Sequence, residues 1–169
     1  MAKKKALLTI GISDSIDIPT ASLQNIACKI DTGAYNCSIH CSSYKMSENK
    51  EGISILTFTL LGKNYKEYKG VKITTTDFSR KKVKSSNGVV QYRYQVSIPI
   101  ILMGEKYVTV FNLSKRQNMR YPILLGRKFL SNKFLVDVSK RKKSKPKGKI
   151  TSTKKKKIQI KDTSSSKAK

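Results

Sequence analysis

The first 139 residues are organised by alternating apolar and polar positions, interrupted at short intervals by turn residues. Leu7-Leu8-Thr9-Ile10 and Ile16-Asp17-Ile18 read as short strands, the second closed by Pro19. Residues 26–30 form a third strand and residues 53–60 a fourth, followed by a turn at Gly62-Lys63-Asn64. Residues 65–76 mix lysine with β-branched side chains, as a protected edge strand does. A turn at Ser85-Ser86-Asn87-Gly88 leads into a long strand over residues 89–101. A hairpin turn at Gly104-Glu105 then leads into residues 107–113. Residues 121–126 read as a buried strand ending in glycine, residues 127–132 as one helical turn, and residues 134–138 as the last strand. This order predicts an all-β fold, a closed or nearly closed barrel with one short helix near its C-terminal end.

Against this background one segment carries chemistry. Asp31-Thr32-Gly33-Ala34 follows the strand-like run Asn25-Ile26-Ala27-Cys28-Lys29-Ile30, and Ile123-Leu124-Leu125-Gly126 follows about ninety residues later. An Asp-Thr-Gly after a strand, with a later apolar-apolar-glycine, is the plan of an aspartic peptidase site. Two carboxylates that share a site cannot both ionise easily, so one holds a proton while the other accepts one from water. Asp31 supplies one of them. Thr32 fixes the loop through hydrogen bonds, Gly33 lets backbone approach the carboxylate, and Ala34 with Ile123, Leu124, Leu125 and Gly126 packs behind it. The competing reading of Asp-Thr-Gly is a plain strand-ending turn. The triplet occurs once and the chain has no internal repeat. The second carboxylate therefore comes from Asp31 of a second copy, from another partner, or from Asp137 on a late strand of the same chain.

The stretch Lys29-Ile30-Asp31-Thr32-Gly33-Ala34, ending with Ile39-His40, resembles the active-site segment of the RimK-associated retropepsin-like peptidases, the RimB-type family often labelled ATP-dependent zinc proteases. The block from Asn112 to Leu130, the closing Phe134-Leu135-Val136-Asp137-Val138, and Ser86-Asn87-Gly88 followed by Arg93 also resemble it. The likeness spans residues 7–139. It implies a retropepsin-like barrel, a homodimeric aspartic endopeptidase, and a link to an ATP-grasp ligase that adds glutamates to the C-terminus of a ribosomal protein. Asp31, Thr32 and Gly33 carry over as the catalytic motif, and Arg116 and Arg127 as motif positions. An oligo-glutamate substrate needs cations, and arginine binds carboxylates through two parallel hydrogen bonds, so Arg116 and Arg127 are candidate substrate-binding residues, with Arg93 and His40 behind them. The alternative for each arginine is an ion pair with Asp137 or another acid of the body. After Ala34 the family commonly has a basic residue and small hydroxyl residues, where this chain has Tyr35-Asn36-Cys37.

Charge adds a second theme. The net charge is +26, of which residues 140–169 contribute +13 from 14 Lys or Arg against Asp162 alone. That tail has no aromatic residue, so residues 1–139 read as the peptidase domain and residues 140–169 as a disordered lysine-rich tail. The tail reads either as a solvated solubilising segment or as a contact to ribosome or RNA. The same charge supports a rival function, a non-catalytic basic barrel that binds ribosome, RNA or a polyanionic peptide. Cys28, Cys37, His40 and Cys41 are possible zinc ligands, but their spacing matches no paired knuckle and His40 is the single histidine, so free thiols in a reduced compartment are expected and neither metal nor cofactor. No phosphate-cradling glycine loop occurs. No run is long enough to span a membrane, and the N-terminal apolar run stops at Gly11, which favours a cytoplasmic location.

Overall fold

A computed structural model describes residues 6–84, 88 and 90–141. Among these residues eleven strands, one 3-10 turn and one short α-helix follow one another: β1 (Leu8–Ile10), β2 (Ser13–Ile18), the 3-10 turn (Pro19–Ala21), β3 (Leu23–Asp31), β4 (Cys37–Glu48), β5 (Ser54–Leu60), β6 (Lys72–Thr75), β7 (Phe78–Lys84), β8 (Val90–Leu102), β9 (Glu105–Ser114), β10 (Ile123–Gly126), α1 (Arg127–Leu130) and β11 (Phe134–Val136). The all-β expectation holds. Hydrogen bonds run in a ring through β10, β3, β2, β8, β9, β4 and back to β10. β5 and β6 extend from β4, β7 pairs on β8, and β1 pairs with β11 in a separate parallel ribbon. The expected turn at Ser85–Gly88 falls largely, and the lysine-rich tail from residue 142 wholly, outside the described residues.

The ring closes around one apolar cluster. Ile16, Ile26, Cys28, Ile30, Ile39, Val96, Ile98, Ile100, Phe111, Leu113, Ile123 and Leu125 all point into it and are buried. Each such side chain contributes about 1.5–3 kcal/mol on leaving water, which makes this cluster the main force that holds β3 and β10 together behind Asp31.

Several boundaries differ from the sequence expectation. Twelve residues, Cys37–Glu48, form a strand that the pattern did not announce. Its first five residues are buried on both faces and the following seven are exposed, so neither half shows the alternation that marks a half-buried strand. Phe78–Lys84 was hidden by its run of cations. The expected edge strand over 65–76 shrinks to Lys72–Thr75, which does lie at the open end of the sheet. The hairpin turns one residue early: Met103 and Gly104 have φ of 53° and 80°, and Leu102 pairs with Glu105, the geometry of a two-residue turn with both central residues left-handed. The helical turn ends at Leu130 rather than residue 132.

Candidate active site

β3 delivers Asp31 at its end, where the chain turns sharply. The Asp31 Oδ1 accepts the backbone N–H groups of Gly33 at 3.2 Å and Ala34 at 3.3 Å, and the Ala34 N–H also lies 3.2 Å from the Asp31 carbonyl. The carboxylate thus stabilises the turn that presents it, as Asx-type turns do. Its other oxygen, Oδ2, lies 3.4 Å from Lys29 Nζ on the same strand, with the Asp31 side chain 21% exposed. A Cβ at Gly33 would sit 3.4 Å from Asp31 Oδ1, an ordinary contact, so the turn tolerates glycine here without demanding it. Thr32 and Gly33 are exposed at the apex.

Behind the turn, β10 runs parallel to β3, with Leu125 beside Ile30 and Gly126 beside Asp31. At Gly126 the demand for glycine is strict, since a Cβ would lie 2.5 Å from the Asn36 carbonyl oxygen and 2.9 Å from that of Ala34. The helix α1 then begins against the turn: the N–H groups of Arg127 and Lys128 donate to the carbonyls of Ala34 and Tyr35 at 2.8 and 2.9 Å. The Arg127 guanidinium donates to the Thr32 carbonyl at 3.2 Å. Ala34, Ile123, Leu124, Leu125 and Gly126 are therefore brought together with the Asp31 turn, and Arg127 with its apex.

The face of the sheet that carries Asp31 is polar. Cross-strand neighbours share a face, and the registers place Lys29, Leu124, Ser38, Asn112, Gln95 and Ser79 side by side across β3, β10, β4, β9, β8 and β7. Ser38 Oγ lies 2.7 Å from Ser114 Oγ, and Gln95 Nε2 donates to Asn112 Oδ1 at 2.8 Å. Ser38 and Asn112 are buried although they face away from the apolar cluster. Ser38, Gln95 and Asn112 had no assigned role in the sequence reading. The available signal was Asn112 and Ser114 standing two apart on either side of the buried Leu113.

Arg116 and Arg93 converge on this face. Arg116 is half-buried, and burial draws its guanidinium below the usual arginine range; Tyr65 opposes this, Arg93 adds to it, and Asp31 opposes it. Arg116 therefore lies within electrostatic reach of both Asp31 and Arg93. Its Nε donates to the Tyr121 carbonyl at 3.3 Å, while its carbonyl accepts from Tyr65 Oη at 3.2 Å. His40 is buried at 1% exposure, with Nδ1 accepting the Arg116 backbone N–H at 2.9 Å and its ring 5.5 Å from that of Tyr65.

The four candidate zinc ligands do not converge. Cys28, Cys37 and Cys41 are buried in the apolar cluster as thiols outside any disulfide. Burial raises the Cys37 thiol and pushes that of Cys41 up to about 11, the opposite of what thiolate ligation needs. The Cys37 Sγ instead accepts the Gly126 N–H at 3.4 Å. Among the described residues no three of His, Cys, Asp and Glu stand together as a metal site, and no helix is long and apolar enough to cross a membrane. The Asp137 Oδ1 accepts the hydroxyl of Ser139 at 2.6 Å and its backbone N–H at 3.0 Å, with Lys140 Nζ 3.2 Å from Oδ2. These bonds hold its carboxyl below the usual carboxylate range, the Ser139 hydroxyl contributing most.

The fold and this turn define a retropepsin-like protein. Residues 9–147 match the RimB-like family, described as "Retropepsin-like aspartic endopeptidase RimB", and the chain belongs to that family. It is 31% identical over 130 residues to a protein named "Probable alpha-L-glutamate ligase" from Shewanella halifaxensis, and equally to its namesake from Shewanella pealeana. Each match covers 77% of this chain but 28% of the relative, so the chain spans little more than a quarter of the length of these proteins. A crystal structure of a Legionella pneumophila protein of unknown function is similar with a TM-score of 0.63 at 25% identity, over 79% of this chain and 95% of that one.

Proposed function

We propose that the chain is an aspartic endopeptidase in which Asp31 activates water for hydrolysis of peptide bonds in acidic or poly-glutamylated tails. The observation that carries this reading is the Asp31 carboxylate, held by the Gly33 and Ala34 N–H groups at the end of a buried strand, with Arg116 within its electrostatic reach. Asp31 of a second copy supplies the second carboxylate. The exposed Thr32-Gly33 apex leaves the turn open to such a copy.

The steps balance without a cofactor. The ionised carboxylate takes a proton from the bound water as its oxygen attacks the scissile carbonyl carbon. The protonated carboxyl gives its proton to the carbonyl oxygen, and a tetrahedral diol forms. Its collapse breaks the C–N bond, returns one proton to a carboxylate and sends one to the leaving nitrogen. Arg116, with Arg93 beside it and Arg127 at the apex, supplies cations for substrate carboxylates. The similarity to Shewanella proteins named for α-L-glutamate ligation favours a glutamate-rich substrate. The lysine-rich tail adds a contact to ribosome or RNA.

Cleavage of a C-terminally oligo-glutamylated peptide by the purified chain and by Asp31→Ala, each with and without a chelator, tests the proposal. Cleavage that Asp31→Ala abolishes and the chelator spares is the expected result. Tight peptide binding without cleavage by the wild-type chain would instead establish the basic binding module.

A further inference from the structure

The antiparallel ribbon of β7 and β8 carries a second feature that the peptidase chemistry does not use. From Phe78 to Met103 the sequence has five Lys or Arg and no acid. The register places Arg80 opposite Tyr94 and Lys82 opposite Tyr92, so these four side chains share one face. Arg93 and Lys81 lie on the other, the face of Asp31. On the first face Tyr92 is 60% exposed with the Arg80 guanidinium 4.6 Å from its ring centre. Tyr94 sits edge-on to Tyr44 at 5.2 Å and to Phe78 at 5.9 Å, and Tyr44 is itself 55% exposed.

Exposed tyrosines cost solvation of their ring faces and cations do not need them for solubility. Their interleaving on one ribbon face matches a ligand that combines negative charge with flat apolar rings. We propose that the β7–β8 ribbon face of Tyr44, Arg80, Lys82, Tyr92 and Tyr94 binds single-stranded nucleic acid. Tyr92 and Tyr44 are the exposed rings, each open to a base, while the half-buried Tyr94 packs edge-on against Tyr44 and Phe78 and holds the face in place. Arg80 and Lys82 stand on the neighbouring strand, where the phosphates run. An acidic peptide would satisfy the cations but leave the exposed surfaces of Tyr92 and Tyr44 uncovered. A duplex keeps its bases stacked inside and could use the cations alone.

The test uses the full chain, whose lysine-rich tail attracts any polyanion, and so reads the bases rather than the charge. Affinities are measured for a single-stranded oligouridylate, its DNA counterpart, an abasic strand of equal length and an oligo-glutamate peptide. Tyr92→Ala weakens binding of the base-bearing strand about ten-fold and leaves the abasic strand and the peptide unchanged, while Tyr92→Phe binds as the wild type does. Arg80→Ala and Lys82→Ala each reduce the salt dependence of binding by about 0.7 in log–log slope. Preference for the RNA or the DNA strand identifies which source of the ligand fits. Equal loss for the abasic strand or the peptide, no loss in Tyr92→Ala, or failure of the wild-type chain to prefer base-bearing strands would each overturn the proposal.

Discussion

The Nδ1 of His40 accepts the backbone N–H of Arg116 at 2.9 Å, so of two residues expected to meet substrate, one holds the other. The bond requires Nδ1 to be without a proton, which puts the neutral ring's proton on Nε2. The contact spans 76 positions and exists because β4 and β9 run parallel, with His40 beside Ser114. His40→Ala leaves the Arg116 N–H without this acceptor, at a cost of about 1–3 kcal/mol. If Arg116 reads substrate carboxylates, the KM for an acidic peptide rises more than that for a neutral one. Equal changes for both peptides would make His40 a purely structural residue.

At Gly126 the Asn36 and Ala34 carbonyls leave no room for a methyl group. Both obstacles are backbone of the turn that follows Asp31, so Gly126→Ala has to displace that turn or open β10. A loss of about 1–3 kcal/mol in folding free energy is expected, with activity reduced further than stability alone explains. Gly33→Ala serves as the comparison: its added Cβ meets only Asp31 Oδ1 at 3.4 Å and carries a small folding cost. Denaturant titrations of the two variants rank them, and a Gly33→Ala chain less stable than Gly126→Ala would contradict this account.

Much of this site was legible in the sequence because it is local. The turn from Asp31 to Ala34 is closed by bonds between residues at most three apart, and Ile123–Gly126 is a short apolar strand whose glycine marks close backbone approach. What escaped was non-local. Ser38, Gln95, Asn112 and Ser114 form one polar face only once β4 joins β9 and β9 joins β8. The strand from Cys37 to Glu48 passes from a position buried on both faces to one that extends toward solvent, and so lacks a single period. The strand from Phe78 to Lys84 has its two apolar residues, Phe78 and Val83, five positions apart and so on opposite faces, with cations filling most of the rest, so no alternation shows.

Arg116 gives a sharper test of specificity than loss of charge would. Arg116→Lys keeps the cation but removes the fork that grips a carboxylate through two bonds. The expected outcome is a roughly ten-fold higher KM for the oligo-glutamylated peptide with little change in kcat, since a hydrogen bond to a charged group is worth about 1.5–3 kcal/mol. A neutral peptide should be cut equally by both proteins. Steady-state kinetics on the two peptides separate this from a general disturbance, which would raise both KM values together.

Cys41 gives the fold a limit on its alkaline side. Its thiol is buried among apolar neighbours and pushed up to about 11, mainly by loss of solvation, while the Thr59 and Ser43 backbone groups act in the opposite direction. The unfolded chain ionises this thiol near 9.0, whereas the folded chain resists ionisation up to about 11. The resulting stability is fully present below the lower value and is lost as the pH rises through the interval. Two units correspond to about 2.7 kcal/mol at most. Denaturant midpoints should therefore fall between pH 8.5 and pH 11, about, and Cys41→Ala should flatten that fall while lowering stability at neutral pH through the cavity it leaves. An unchanged alkaline slope in Cys41→Ala would assign the loss to other groups, with Cys37, which burial also raises, the next to substitute.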